Sequence, residues 1–299
     1  MARNPDAPLT HLVTGGTGFI GRRVLALGGE ERVVALGRSG LSVSGQIVDD
    51  SVFDLADTAK YAKVIADYAP DVLVHLAWQG LPDYSAGNSL HNLTVGLRLI
   101  ECAVKAGIRR IVVAGSGWEY GTRTGPLREY DVPESPSVFA AHKLAQLRVA
   151  EALCREAGVE LAWVRIFFSY GPGQRRQSLI PAVVDAIRRG ESPVLRTPGA
   201  LSDFVFVDDV ARAVRAISLL GAPVGIINVG TGRPTAAFEV ARIVADVMDS
   251  HVRIPNADVT SGSWADTTRL HGELGFVPQV SLEEGIERTV RSLLGVAPE

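Results

Sequence analysis

Short apolar runs alternate along this chain with longer stretches in which apolar residues recur at helical spacing. Leu12-Val13, Arg32 to Leu36, Val72 to His75, Ile111 to Ala114 and Glu160 to Arg165 read as buried strands, and Gln46 to Val48 as a further short one. A helix is expected up to about Leu27, and Asp57 is placed to cap the next. Leu90, Leu93, Leu97, Ile100 and Val104 fall at helical spacing, which predicts a helix that buries them on one face. Ser135-Pro136 predicts another helix, with serine as cap and proline in the first turn, running through Lys143 to about Ala157. Strands alternating with helices predict an α/β fold with a doubly wound parallel sheet, covered on both faces. Past Ile166 the strands shorten and prolines become frequent, at 181, 193, 198, 223, 234 and 278. This predicts two parts, residues 1–165 and a smaller α/β lobe over 166–299. Phe204 to Val207 and Ile226 to Val229 still read as buried strands, so the two are expected to interleave.

The first strand runs into Gly15-Gly16-Thr17-Gly18-Phe19-Ile20-Gly21. Gly15 permits a sharp turn, Gly18 lets backbone approach a diphosphate, and Gly21 lets helix pack on strand. A strand, a glycine loop and a helix at the start of an alternating chain predict a Rossmann-type dinucleotide site. The second strand ends on Gly37-Arg38-Ser39, where an NAD-preferring fold usually carries Asp or Glu. Arg38 can pair with a 2′-phosphate and Ser39 can donate to it, so NADP (as NADPH) is expected over NAD.

With 299 residues, 46% of them hydrophobic, the chain can bury a large core. A net charge of −3 with no basic block argues against nucleic acid as a partner. No apolar run reaches membrane-spanning length and no signal-peptide pattern is seen, so a cytoplasmic protein is expected. Cys102 and Cys154 each lie among alanines and leucines in helical patterns, which favours packing over a disulfide, and no metal site is expected.

Ser116 stands beyond the strand at 111–114, where ligands bind in open α/β sheets. Lys143 lies on the following helix and shares a face with Phe139 and Leu147. With these pieces in place the chain resembles the extended short-chain dehydrogenase/reductases, in the NAD(P)-dependent nucleotide-sugar epimerase/dehydratase family. The matching residues are Gly15 to Gly21, His75-Leu76-Ala77, Ser116 with Tyr120-Gly121, Lys143, Tyr170 to Gly173, Asp203 to Val210, Asn228-Val229-Gly230, and Leu274-Gly275-Phe276 with Pro278. They span nearly the whole chain in the family's order.

The resemblance implies hydride transfer at a sugar carbon. Ser116 would bond the reacting oxygen, and Lys143 would bind the nicotinamide ribose. A tyrosine four residues before the lysine would pass the proton, and here that residue is Phe139. Phenylalanine has no O–H, and loss of a general acid costs roughly 10²–10⁴ in rate. Three readings stay open: a Tyr→Phe change that traps an unreactive complex, a substitute donor such as His142, Tyr120, Tyr84 or water, or a protein that binds without turnover. The implied cofactor contacts are Gly15, Thr17, Gly18, Phe19, Ile20, Gly21, Arg38, Ser39, Asp54, Leu55, Leu76, Ala77 and Lys143.

The dehydratases of the family carry Asp-Glu where this chain has Gly117-Trp118, with Glu119 one residue late, so dehydration is disfavoured. Gly37-Arg38-Ser39 and the resemblance of Leu76 to Tyr84 to 4-ketoreductases favour NADPH-dependent reduction of an NDP-4-keto-6-deoxyhexose. An NAD-dependent nucleotide-sugar 4-epimerase is the alternative, and a non-catalytic sensor is the alternative of another class. Trp78, Tyr84 and Phe168 are expected to line the sugar pocket, with Ser116, Trp118 and Leu179 in the same substrate set. Ser202 stands where relatives often place an arginine, so Arg175, Arg176 or Arg196 is expected to grip the diphosphate. A homodimer formed through the helices after Tyr84 and Ser135 is also expected.

Overall fold

The computed structural model describes residues 8–36 and 56–296. The expected strand at Gln46–Val48 and the expected cofactor residues Arg38, Ser39, Asp54 and Leu55 lie outside the described residues. The strands are β1 (Thr10–Thr14), β2 (Arg32–Leu36), β3 (Val72–His75), β4 (Arg110–Ser116), β5 (Gly125–Leu127), β6 (Glu160–Ile166), β7 (Phe168–Tyr170), β8 (Ala200–Phe206), β9 (Gly225–Val229), β10 (Pro234–Ala236) and β11 (Thr260–Ala265). The helices are α1 (Gly21–Ala26), α2 (Thr58–Tyr68), α3 (Ala86–Lys105), α4 (Val138–Ala157), α5 (Leu179–Arg188), α6 (Val207–Leu219), α7 (Ala237–Val247), α8 (Thr268–Gly272) and α9 (Leu282–Leu294).

The chain divides into two compact units, one of residues 1–121, 135–165 and 211–227, the other of 122–134, 166–210 and 228–299. A single cut at 165/166 differs from this division: 122–134 joins the second unit and 211–227 returns to the first.

The first unit is built on a six-stranded sheet in the order β2-β1-β3-β4-β6-β9. β1 pairs in parallel with β2 and β3, and β3 in parallel with β4. The register sets Thr14 opposite His75 and His75 opposite Val113, so the carboxyl ends of β1, β3 and β4 lie along one edge. Every residue of β1 is buried, as a central strand covered on both faces requires. Leu12, Val34, Leu73, Leu99, Ile111 and Trp163 belong to one core.

Two helices differ from the expected pattern. On α3 the buried residues are Ser89, Asn92, Val95, Gly96, Leu99, Ile100 and Ala103, whereas Leu90 is 55% exposed and Leu93, Leu97 and Val104 are half-buried. The inward face is turned towards the polar residues because Asn88 and Asn92 hold the loop before the helix. The cap of α4 is Ser137, whose hydroxyl accepts from the Ala140 N–H at 3.3 Å. Ser135 lies upstream at φ 42°, and a residue before proline is disfavoured in the helical region. Asp57 caps α2 by accepting from the Lys60 N–H at 3.1 Å. Both cysteines carry free thiols, Cys154 inside the α4 core and Cys102 half-buried on α3.

In the second unit a five-stranded sheet runs β10-β8-β11-β5 with β7 beside β8. Val207, expected in a strand, instead opens α6. Ile180 and Val184 of α5, Val240 and Val244 of α7, and Ile286 and Val290 of α9 share one core. Asp203 of β8, only 1% exposed, ties this unit together. Its carboxylate accepts from the Thr231 N–H at 2.8 Å, the Thr231 hydroxyl at 2.6 Å, the Gly232 N–H at 2.9 Å and the Ala265 N–H at 3.1 Å. Asp203→Ala strands these donors and is expected to remove at least about 3 kcal/mol of unfolding free energy, since each buried orphan costs about 1–3 kcal/mol. Urea denaturation measures it, and a loss under about 1 kcal/mol would mean that water takes the carboxylate's place.

Candidate active site

The edge formed by the ends of β1, β3 and β4 carries several of the expected site residues. Past β1 the chain turns at Gly15, φ 77°, whose N–H donates to the Leu36 carbonyl at 3.1 Å. The Gly18 N–H donates back to the Gly15 carbonyl at 2.9 Å and closes the loop. A side chain at Gly15 would meet the Ala77 nitrogen at 2.8 Å, and one at Gly21 would collide with the Gly15 carbonyl. The loop therefore lies directly against Leu76-Ala77 after β3, which brings two of the expected cofactor segments together. Thr17 and Gly18 are exposed at its tip, while Phe19 and Ile20 are half-buried. Such a cradle, glycine-lined with its tip open, fits the close backbone approach that a dinucleotide diphosphate needs.

His75 ends β3 with Nδ1 2.7 Å from the Thr14 hydroxyl. Burial, with the Lys143 charge adding to it, pushes the imidazole's pKa down to about 3, so the ring is neutral at ordinary pH. Ser116 is the last residue of β4 and not a loop residue beyond it. Its hydroxyl accepts from the Trp118 N–H at 3.1 Å and caps the 3-10 turn Gly117–Tyr120.

Glu119, one residue late for dehydratase chemistry, is 0% exposed. Its Oε1 accepts from the Ser116 N–H at 2.8 Å, and its Oε2 from Arg165 Nε at 2.9 Å. The Trp163 indole N–H lies 3.0 Å from both oxygens. Glu119 thus positions Ser116 from behind. Gly115 must be glycine, because a side chain there would strike the Trp163 indole and the Glu119 carboxylate.

Lys143 is 6% exposed and its Nζ donates to the Ala114 carbonyl at 2.8 Å. The same ammonium sits 4.2 Å from the centroid of the Trp78 ring, a cation–π contact. Burial pushes its pKa down to about 8, against the pull of Glu119. Phe139, one turn earlier and 8% exposed, is enclosed by aromatic edges. Trp78 stands at 5.0 Å, Tyr84 at 5.2 Å and Trp118 at 5.9 Å between ring centroids. The segment carrying Trp78 and Tyr84 is held by α3. Asn88 Nδ2 donates to the carbonyls of Gln79 at 3.0 Å and Asp83 at 2.7 Å, and the Gln79 N–H donates to Asn92 Oδ1 at 2.6 Å. Sequence reasoning missed Asn88, Asn92 and Trp163. The signal for the asparagines was a polar pair at i and i+4 within an otherwise apolar helix.

Of the expected substrate set, Ser116, Trp78, Tyr84 and Trp118 gather around Phe139 and Lys143 in the first unit. Phe168, Arg175, Arg176, Leu179 and Arg196 belong to the second. There Phe168 stands 5.6 Å from Phe204, Leu179 opens α5, and Arg175 and Arg196 are exposed. Arg176 forms an ion pair with Asp185 at 2.8 Å.

Two expectations follow. Glu119→Ala removes the carboxylate that neutralises the buried Arg165 guanidinium and is expected to cost about 3–5 kcal/mol in a urea melt; a near-neutral effect would contradict the buried pair. For Lys143, the folded pKa of about 8 lies below the ordinary 10.5. Between those values the unfolded chain binds the extra proton, so this group makes stability rise with pH over that window. Lys143→Met should flatten the rise, and unchanged slopes would place the amine in water.

The family model described as "NAD dependent epimerase/dehydratase family" matches residues 11–230. A UDP-glucose 4-epimerase of Mycolicibacterium smegmatis is 32% identical over 308 aligned residues, covering 93% of this chain and 96% of that protein. MoeE5, solved with UDP-glucose and NAD, matches at TM-score 0.85 and 27% identity, covering 96% of this chain and 99% of that one. The Thermus thermophilus UDP-glucose 4-epimerase, solved with NAD, matches at TM-score 0.79 and 25% identity over 97% of this chain and 100% of that one. A glycine cradle beside Ser116 and Lys143 on one sheet edge, with a family match over most of the chain, means that this protein belongs to the NAD dependent epimerase/dehydratase family, the extended short-chain dehydrogenase/reductase type of enzyme.

Proposed function

We propose that the protein is an NAD-dependent nucleotide-sugar 4-epimerase. The observation that carries this is the convergence of the Gly15–Gly21 cradle, the Ser116 hydroxyl and the Lys143 amine at one edge of the first unit's sheet. NAD, when bound, would supply a reversible hydride acceptor at a sugar carbon. Ser116 hydrogen-bonds the sugar oxygen at that carbon, and the Glu119 carboxylate keeps the serine still through its backbone N–H. Lys143, whose Nζ lies 2.8 Å from the Ala114 carbonyl, would bind the ribose hydroxyls of the cofactor. Gly15, Thr17, Gly18, Phe19, Ile20 and Gly21 hold the diphosphate, with Leu76 and Ala77 beside them. Trp78, Tyr84 and Trp118 offer apolar faces to the sugar ring.

NAD is preferred here over the NADP expected from Arg38 and Ser39. The family is described as NAD dependent and the solved relatives named above carry NAD. Their activities also favour epimerisation over 4-ketoreduction. Dehydration needs a carboxylate base at the sugar, and Glu119 faces Arg165 and Trp163 instead. Leu90, with Leu93 and Leu97 half-buried beside it, is proposed as the α3 side of a homodimer.

The protein is expected to bind NAD and to interconvert UDP-glucose and its C4 epimer slowly, without net consumption of cofactor. Phe139→Tyr restores a phenol one turn before Lys143 and is expected to raise kcat by about 10²-fold or more. Steady NADPH oxidation with an NDP-4-keto-6-deoxyhexose would instead establish the reductase. Cofactor binding with no turnover by either protein would establish a binding role.

A further inference from the structure

A cleft of about 450 Å³, open to solvent along one side, runs between one flank of α4 and the start of β9, over β6. All of its lining belongs to the first unit. Small-molecule sites have volumes of roughly 300–1,000 Å³, so this one suits a short aliphatic chain or a small ring system. Its floor is apolar. Leu147 and Trp163 are buried there, and Leu161 and Ile226 are half-buried. Cys154 also lines it, and burial pushes the thiol up to about 11, so the floor carries no charge at ordinary pH. The wall on the β9 side is fixed, because Arg110 holds the carbonyls of Ile217 at 3.3 Å and Ala222 at 3.1 Å just before that strand.

The mouth is charged, and its charges do not cancel. It carries Arg148, Glu151 and Arg155, all from α4. Arg148 and Glu151 form an ion pair at 2.9 Å. Arg155 is exposed and has no carboxylate partner among the described residues. It is not needed to cap its own helix either. The Val159 N–H donates to the Cys154 carbonyl at 2.8 Å and the Gly158 N–H to the Arg155 carbonyl at 3.4 Å. Glu160, close by in sequence, is held by Arg110 Nε at 2.8 Å, and Glu156 is not part of the lining. An apolar floor under one spare guanidinium is complementary to an apolar body with one negative end.

We propose that this cleft binds a small amphipathic carboxylate, with its head at Arg155 and its apolar body over Leu161 and Ile226. The site is separate from the epimerase reading, since neither the Gly15–Gly21 cradle nor Ser116 nor Lys143 lines it. It is also next to that edge. Its inner wall is the Trp163 ring, whose N–H holds both Glu119 oxygens at 3.0 Å behind Ser116. An occupant therefore rests on a ring that supports the serine.

The test is calorimetry on the full chain with octanoate, octylammonium and acetate, in wild type, Arg155→Glu and Leu161→Trp. Octanoate is expected to bind wild type saturably at one site. Acetate has the head without the body, and octylammonium the body with the opposite charge. Both should bind at least about fivefold more weakly than octanoate. Arg155→Glu, at an exposed position, should weaken octanoate by about fivefold or more and strengthen octylammonium. Leu161→Trp fills the floor and should weaken both chains. No saturable octanoate binding, equal binding of octanoate and octylammonium, or octanoate binding that Arg155→Glu leaves unchanged overturns the proposal. So does a second copy of this chain seated in the cleft, seen in sedimentation as a dimer that Arg155→Glu dissociates. None of these outcomes bears on epimerisation, which is assayed separately.

Discussion

A fully buried carboxylate is the constraint around which the carboxyl edge of the first unit's sheet is arranged. Glu119 has no water to share its charge, so every lone pair must be met by the protein. Arg165 supplies the counter-charge, Trp163 an indole N–H, and Ser116 its backbone N–H. Each of these obligations fixes something else. The Trp163 indole leaves no room for a side chain at position 115, and the Ser116 amide fixes the end of β4. Ser116 is therefore placed by a charge behind it.

A second layer of order comes from amides. Asn88 and Asn92 spend their side chains on the backbone of the segment after β3, so that segment moves with α3. The aromatic rings it carries pack edge-on around Phe139, and Trp78 covers the Lys143 ammonium. Phe139 and the Lys143 amine thus lie in a largely apolar enclosure. Its low dielectric lowers the amine's proton affinity and also strengthens any charge interaction with a ligand.

The sheet could be read from the chain because strands buried on both faces announce themselves as continuous apolar runs, and Arg32–Leu36 and Val72–His75 fall where those runs lie. The place of Ser116 at the end of β4 and the shared face of Phe139 and Lys143 on α4 were legible from position and spacing. Glu119 was not, because its partners Trp163 and Arg165 lie 44 and 46 residues away and nothing local marks them. The inward face of α3 was misjudged from its leucines, since the helix buries asparagine for hydrogen bonds and leaves Leu90 outward. The cap of α4 was placed two residues early because Pro136 is flanked by two serines, and only the second reaches a helical N–H.

The first unit is discontinuous, and this has a kinetic meaning. Its sheet needs β9, and Arg110 reaches the carbonyls of Ile217 and Ala222 while Arg215 grips Glu31 across 184 positions of sequence. A ribosome must therefore release about three quarters of the polypeptide before the first unit can close. Nascent β1 to β4 and β6 would wait with an unpaired edge, the kind of exposed strand that makes slow, non-local topologies prone to aggregate.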